Sequence, residues 1–144
     1  MKPMREGGNL VSRIHQVSGR VFSRILKQHG IDELNPAQGR ILYELWKEDS
    51  LSQTELAFRT KLDKSTLALM LDRLEADGQI ERVQDDADAR RKFISATAEN
   101  RKLHGEYEKA SAEMIDMFYD GLSETEIDRF EKTLRKVLAN IEKE

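Results

Sequence analysis

Apolar residues recur at intervals of three or four over most of the chain, and this spacing predicts a mainly helical protein. A first helix is predicted from Leu10 to Leu26, and a second begins after a helix-start signal at Asn35. Two shorter helices are predicted over 52–59 and 63–77, and each of them opens on a capping residue. A pair of helices in these proportions is typical of a helix-turn-helix.

A β-hairpin is predicted immediately after this helix pair. Its strands are the short apolar runs 80–84 and 93–97, which flank a highly charged loop. Thr97 is then predicted to cap a long helix, and Ser123 opens a last helix after a break at Gly121. The predicted fold is mainly α with a small β-hairpin, in the order α-α-α-α-β-β-α-α.

The terminal helices carry more apolar surface than a lone helix could bury. The last helix alone has six apolar residues on a face that is predicted to lie inward: Ile127, Phe130, Leu134, Val137, Leu138 and Ile141. The first, fifth and sixth helices are distant in sequence and all amphipathic. We therefore expect them to pack against one another and against a symmetry mate, in a C2 homodimer.

Charge and composition narrow the class of protein. The formal net charge is −3, but the excess of acid lies at the C-terminal end. Residues 51–105 carry 10 basic and 10 acidic side chains, whereas residues 106–144 carry 6 and 11. The absence of cysteine excludes disulfides and thiol chemistry. Since no apolar segment resembles a signal peptide or a membrane span, we expect a cytoplasmic protein.

The patterns of catalytic and metal-binding sites are missing from the sequence. His15, His29 and His104 are far apart and show no metal-ligand spacing. There is no glycine-rich phosphate loop and no nucleophile elbow. We therefore expect the chain to be no enzyme and to hold neither a metal ion nor an organic cofactor.

A helix pair followed by a ribbon with a cationic tip has a shape that can enter both grooves of DNA. The first turn of the helix over 63–77 can bind phosphates and base edges, and Leu69 can meet a thymine methyl group. At the tip, Arg90 can enter a narrow minor groove while Asp88 holds its guanidinium in a bidentate pair. The candidate DNA-binding residues are Gln53, Thr54, Lys64, Ser65, Thr66, Leu69, Arg73, Asp88, Arg90, Arg91 and Lys92.

A plainer interpretation of the same residues stays open. The helix positions can be ordinary solvated side chains. The loop also carries three aspartates, Asp85, Asp86 and Asp88, which can neutralise its three basic residues. Under this interpretation neither feature has a nucleic-acid partner.

Four passages, in this order and spacing, resemble the MarR family of winged-helix transcription regulators. They are LNPAQGRILYEL at 34–45, LSQTELAFRTKLDKSTLALMLDRLEADGQIERV at 51–83, DADARRKFISAT at 86–97 and GLSETE at 121–126. The third contains Asp88-Ala89-Arg90, which is similar to the family's wing element. The chain departs from the family's pattern at Ala68 and Leu69, where many members have a polar residue or arginine, and at Ala96, where leucine is frequent.

The resemblance implies a winged helix-turn-helix DNA-binding region over residues 35–97, which we call the reader. It also implies a helical dimerisation region made of residues 1–34 and 98–144. Two readers would contact half-sites about one helical turn apart in a pseudo-palindromic operator. Such a dimer would repress or activate transcription.

Control by a small molecule is a further implication of the resemblance. In the family an effector pocket often lies where the dimerisation helices meet the reader, which here draws on the first, second and fifth helices. Arg13, Arg20 and Trp46 could contact a small aromatic or anionic effector there. Exposed arginines and a core tryptophan explain these residues more simply, so the ligand-binding residues stay unassigned.

The alternative function belongs to a different class of protein. A winged helix can serve as a protein-interaction module that does not bind DNA. The balanced charge of residues 51–105 and the apolar Ala68-Leu69 face favour this alternative.

Overall fold

The computed structural model describes residues 3–88 and 90–143. The outermost residues of the predicted dimerisation region lie outside these ranges, as does Ala89, the middle residue of the predicted wing element. The helices are α1 (Gly7–Gln28), α2 (Pro36–Lys47), α3 (Gln53–Thr60), α4 (Lys64–Ala76), α5 (Ala98–Arg101), α6 (His104–Phe118) and α7 (Glu124–Glu142). The strands are β1 (Leu51–Ser52), β2 (Ile80–Gln84) and β3 (Lys92–Ala96). The predicted fold class, mainly α with a small β wing, is confirmed.

Side-chain caps begin five of these helices, and all five were predicted from the sequence. In each case an oxygen of the residue before the helix accepts the backbone N–H three residues later, which satisfies one of the unpaired donors of the first turn. The capping residues are Asn35, Ser52, Asp63, Thr97 and Ser123.

The predicted hairpin is confirmed, because β2 pairs with β3. A third antiparallel strand joins it, which gives the described sheet the order β1-β3-β2. The additional strand, β1, pairs Leu51 with Ile94, and both side chains are buried. β1 has only two residues and forms by pairing with a distant part of the chain, so the local pattern gave no sign of it. β3 also begins one residue earlier than predicted, at Lys92.

The predicted long helix after Thr97 is wrong, because the chain forms α5, a turn and then α6. The short helix is anchored by Asn100, whose side chain is 1% exposed and hydrogen-bonded to Trp46 and Gln79. Bonds between residues three apart, from Leu103 N–H to the Asn100 carbonyl among them, tighten the chain after α5. α6 then begins at His104 and packs on α1.

The core of the chain lies where the end of α1, the helices α2 to α4 and the sheet meet. Its twelve most deeply buried large side chains are aliphatic: Ile25, Leu26, Ile41, Leu42, Leu45, Leu51, Leu56, Leu67, Leu71, Leu74, Ile80 and Ile94. This core fixes the position of α4 and of the wing formed by β2 and β3.

The sequence predicts that the apolar face of α7 lies inward. Within one chain, most of this face is exposed instead. Leu134, Val137, Leu138 and Ile141 are 37–64% exposed. Only the start of the helix packs on α6, where Phe130 contacts the rings of neighbouring aromatic residues. None of the helices in the described ranges is long and apolar enough to cross a membrane.

Candidate nucleic-acid interface

The first turn of α4 presents an exposed polar surface. Lys64, Ser65 and Thr66 are all exposed there. Asp63 fixes this turn, because its Oδ1 accepts the Thr66 backbone N–H at 2.7 Å and its Oδ2 accepts the Thr66 hydroxyl at 2.9 Å. The backbone N–H of Thr66, followed by its hydroxyl, holds the pKa of Asp63 below its usual value. Leu69 lies three residues further along and is 71% exposed.

A cleft of about 590 Å³ separates the start of α3 from the wing. It brings together five of the residues predicted to bind DNA, namely Gln53, Thr54, Arg90, Arg91 and Lys92. The remaining candidates on α4, among them the exposed Arg73, do not line this cleft. Four basic side chains and one acidic side chain line the cleft, and this excess of positive charge suits a polyanion: Arg82, Arg90, Arg91, Lys92 and Glu55.

The tip of the wing holds Arg90 in an exposed position. The Asp88 Oδ1 accepts the Arg90 backbone N–H at 3.0 Å and its Nε–H at 3.3 Å. These two bonds, the backbone one first, lower the pKa of Asp88. The predicted bidentate pair is therefore replaced by one guanidinium contact and one backbone contact. The Arg90 side chain remains 91% exposed, so its terminal nitrogens point away from the wing's own packing.

Arg82 ties the wing to α4, and the sequence interpretation missed this role. Its Nη1 donates to Asp72 Oδ1 at 2.9 Å and to Glu75 Oε1 at 3.0 Å. Asp72 and Glu75 lie three residues apart and therefore share one face of α4. This acidic pair, followed by an arginine in the next strand, was the available signal. The bridge couples the direction of β2 to the exposed surface of α4.

A buried chain of hydrogen bonds runs from α2 to the base of the wing. Trp46 Nε1 donates to Asn100 Oδ1 at 2.7 Å, and Asn100 Nδ2 donates to Gln79 Oε1. Gln79 in turn donates to Glu33 Oε2 at 2.7 Å, in the loop between α1 and α2. Trp46 is 8% exposed and belongs to the hydrophobic core.

His29 joins the end of α1 to α6. Its Nδ1 lies 2.9 Å from Glu106 Oε2, and its Nε2 lies 2.7 Å from Glu113 Oε1. A carboxylate accepts hydrogen bonds only, so this geometry needs a proton on both ring nitrogens. The bond to Glu106, followed by that to Glu113, raises the pKa of His29. When it is protonated, His29 therefore links two helices of the predicted dimerisation region through both ring nitrogens.

Two further cavities lie along α1. One, of about 750 Å³, is lined by His15, Arg20 and Arg40 and lies between α1, the start of α2 and the turn after α3. The other, of about 600 Å³, is mainly apolar and lies between α1 and α6, with Arg13 at its edge. The two arginines considered for an effector therefore lie in different cavities.

Comparison with known proteins gives one family. The sequence model of the MarR family matches residues 34–92. The HTH-type transcriptional regulator TtmR of Methylorubrum extorquens is 39% identical over 87 residues, which are 60% of this chain and 43% of TtmR. The chain therefore matches less than half the length of that relative. The transcriptional regulator HosA of Escherichia coli is 30% identical over 111 residues, covering 77% of this chain and 82% of HosA.

Solved structures give the same result. The Staphylococcus aureus MepR–DNA complex superposes with a TM-score of 0.84 at 27% identity, over 92% of this chain and 96% of MepR. The PcaV transcriptional regulator of Streptomyces coelicolor, solved in complex with its natural ligand, gives 0.80 at 26% identity. That match covers 96% of this chain and 98% of PcaV.

Proposed function

The chain belongs to the MarR family of DNA-binding transcriptional regulators, and on this premise we propose that it acts as a homodimer on a pseudo-palindromic operator. The observation that carries the proposal is the cleft between α3 and the wing, where five of the candidate DNA-binding side chains meet. The match to MepR, which was crystallised with DNA, supports it. Binding of this kind would place the chain on a promoter, to repress or activate transcription.

Each reader contacts DNA with two elements. Lys64, Ser65 and Thr66 enter the major groove with the first turn of α4, and Leu69 follows them along the groove. The wing carries Arg90 to the adjacent minor groove, where a narrow A·T-rich groove concentrates negative potential. Gln53, Thr54, Arg73, Arg91 and Lys92 contact phosphates, while Asp88 steadies Arg90.

A test of the DNA contact compares Arg90→Ala with Arg129→Ala, which removes the same charge from an exposed position on α7. Arg90→Ala should weaken operator binding by about 1–3 kcal/mol at fixed salt, and Arg129→Ala should leave it unchanged. The probe is the DNA immediately upstream of the chain's own coding sequence. If both variants bind this DNA with equal affinity, Arg90 does not contact the DNA. If this DNA does not bind the wild-type chain in a gel-shift assay at low salt, a protein-interaction module is favoured instead.

The second copy covers the exposed apolar surfaces of α1 and α7. Leu10, Val11, Ile14 and Val17 of α1 are 41–52% exposed, and the stripe of α7 is exposed to a similar degree. Apolar faces of this extent are typical of association surfaces. The mainly apolar groove between α1 and α6 continues the same surface. A C2 dimer built on it would carry two copies of α4 related by the twofold axis, one for each half-site.

Leu138→Glu tests the dimer, with Lys132→Glu on the opposite face of α7 as the matched control. Leu138→Glu should lower the sedimentation coefficient to that of a monomer and reduce operator binding, because each half-site is then held alone. Lys132→Glu should keep both properties. A wild-type chain that sediments as a folded monomer at micromolar concentration would contradict the dimer.

The cavity beside Arg20 and Arg40 is the site for a small anionic effector. Two guanidinium groups and His15 line it, and planar carboxylates pair well with arginine. The ligand-bound PcaV structure supports effector control. An effector acts as a switch only if it binds one spacing of the two readers better than the other.

A thermal-shift screen of phenolic acids tests the effector site. A binding compound should raise the melting temperature of the wild-type chain and should lose this effect in Arg20→Gln. Arg24→Gln, an exposed position on the same helix, is the control. Loss of the effect in both variants, or in neither, would argue against the cavity.

A further inference from the structure

The hydroxyl group of Thr66, at the surface of α4, donates its hydrogen bond to another residue of the protein. Thr66 Oγ1 lies 2.9 Å from Asp63 Oδ2, while the Thr66 backbone N–H bonds the other oxygen of the same carboxylate at 2.7 Å. Both residues are exposed, and no other side-chain partner of Thr66 appears in the described part of α4. The pair is therefore a fixed feature of the exposed first turn.

The chemistry of the pair decides which way the hydroxyl points. A threonine hydroxyl has one proton to donate and two lone pairs that accept. The pKa of Asp63 is lowered by the same two bonds, so its carboxylate is ionised at neutral pH and can only accept. Thr66 must therefore donate to Asp63. What it presents outward is an acceptor oxygen.

This polarity matters because bases differ in what they show in the major groove. Adenine and cytosine present amino donors there, whereas guanine and thymine present carbonyl acceptors. Leu69, one turn further along the same face of the helix, has no hydrogen-bonding group and cannot distinguish the two kinds of edge. Of these two residues, only Thr66 can tell a donor from an acceptor by hydrogen bonding.

We propose that Asp63 sets the base preference of α4 by holding the Thr66 hydroxyl as an acceptor. At the position that faces Thr66, the operator then carries adenine or cytosine, and guanine and thymine are disfavoured. Thr66 is the residue that touches the base, and Asp63 is a positioning residue. The inference rests on the proposed operator binding and adds to it the base class that one side chain selects.

Asp63→Asn separates this role from helix capping. Asparagine caps helices as well as aspartate does, so its Oδ1 can still accept the Thr66 N–H. Its Nδ2, however, occupies the place of Oδ2 and donates to the Thr66 hydroxyl. The hydroxyl proton is then released outward. The substitution should therefore reverse the hydrogen-bonding polarity of Thr66 with little effect on the fold.

The experiment uses the full chain to select bound DNA duplexes from a random pool, and the selected duplexes are then sequenced. Wild type should enrich adenine or cytosine at one position of each half-site, and Asp63→Asn should enrich guanine or thymine at that position. The change in preference should be on the order of tenfold. Thr66→Val should lose the preference at that position alone, while Thr66→Ser should keep it. Asn35→Asp, the mirrored exchange at the cap of α2, is the control and should change nothing.

The outcomes are distinguishable. If Thr66→Val changes one position and Asp63→Asn changes none, Asp63 does not set the polarity and the inference is wrong. If Thr66→Val changes no position, Thr66 does not read a base, which also overturns it. If the wild-type chain enriches no sequence at all, the proposed function fails and the inference fails with it. Thermal melting of each variant shows whether a loss of base preference reflects unfolding. If Thr66→Val unfolds, Thr66→Ser is compared with wild type in its place.

Discussion

Replacing Gly39 with alanine should destabilise this protein, although alanine is the better helix former. Gly39 lies in α2 directly beneath the ring of Tyr107 from α6. A Cβ atom at position 39 would lie 2.5 Å from Tyr107 Oη, 2.8 Å from Cε2 and 2.9 Å from Cζ. Tyr107 is 5% exposed, and its ring packs edge-on against Trp46 at 5.1 Å and Phe22 at 5.7 Å. These two ring contacts oppose a shift of the Tyr107 ring toward Trp46 or Phe22.

The magnitude follows from two opposing effects. An added methyl group in a packed site costs about 1–3 kcal/mol, while alanine gains up to about 1 kcal/mol over glycine in a helix interior. The net loss for Gly39→Ala is therefore up to about 2 kcal/mol. Gly19→Ala in α1 is the matched control, because nothing lies within 4 Å of its added Cβ. It should gain about 0.5–1 kcal/mol, so the difference between the variants isolates the steric cost.

Urea denaturation at equal protomer concentration measures both variants, since the stability of a dimer depends on concentration. Adding Tyr107→Phe to Gly39→Ala removes the nearest atom, Oη, and should recover part of the loss in a double-mutant cycle. Equal stabilisation by Gly39→Ala and Gly19→Ala would refute the reasoning, because Tyr107 would then be able to yield at no cost.

Two further predictions concern polar contacts that join distant segments. The pKa of His29 is raised above its ordinary 6.5 in the folded chain, so its contribution to stability is complete below that value and is lost as pH rises through the folded pKa. The difference in urea midpoint between wild type and His29→Gln should therefore be largest at pH 6 and should shrink as the pH rises above 6.5, whereas a pH-independent difference would exclude the links to Glu106 and Glu113. Asn100→Ala leaves the Trp46 indole N–H without its acceptor and should lower the free energy of unfolding by about 1–3 kcal/mol. Urea denaturation measures this loss, and an unchanged free energy of unfolding would contradict the role of the bond.

Local features of the fold were predictable, because each one depends on residues a few positions apart. Helix caps such as Asn35 and Ser123 involve an oxygen and an N–H within the same turn, and the sequence shows both. Features that depend on distant partners were not predictable. β1 exists only because Leu51 pairs with Ile94, and α5 separates from α6 because Asn100 is held by residues of other elements.

The candidate site divides in the same way. Exposed polar positions on α4 and in the wing follow from the helical period and from the charged loop, so the residues themselves could be named in advance. Their mutual arrangement could not, since it depends on the bridge from Arg82 to Asp72 and Glu75 and on the turn of the wing. The direction of the Thr66 hydroxyl is a further case, because the capping role of Asp63 is visible in the sequence and its second bond is not.

Footprinting on the DNA upstream of the chain's own coding sequence tests the central claim most directly. The account predicts protection of two half-sites whose centres lie about 10 base pairs apart, at a stoichiometry of two chains per duplex. Protection should weaken steeply as salt is raised, since several phosphates are contacted. Protection of a single half-site by one chain, or no protection at low salt, would contradict a dimeric operator-binding regulator.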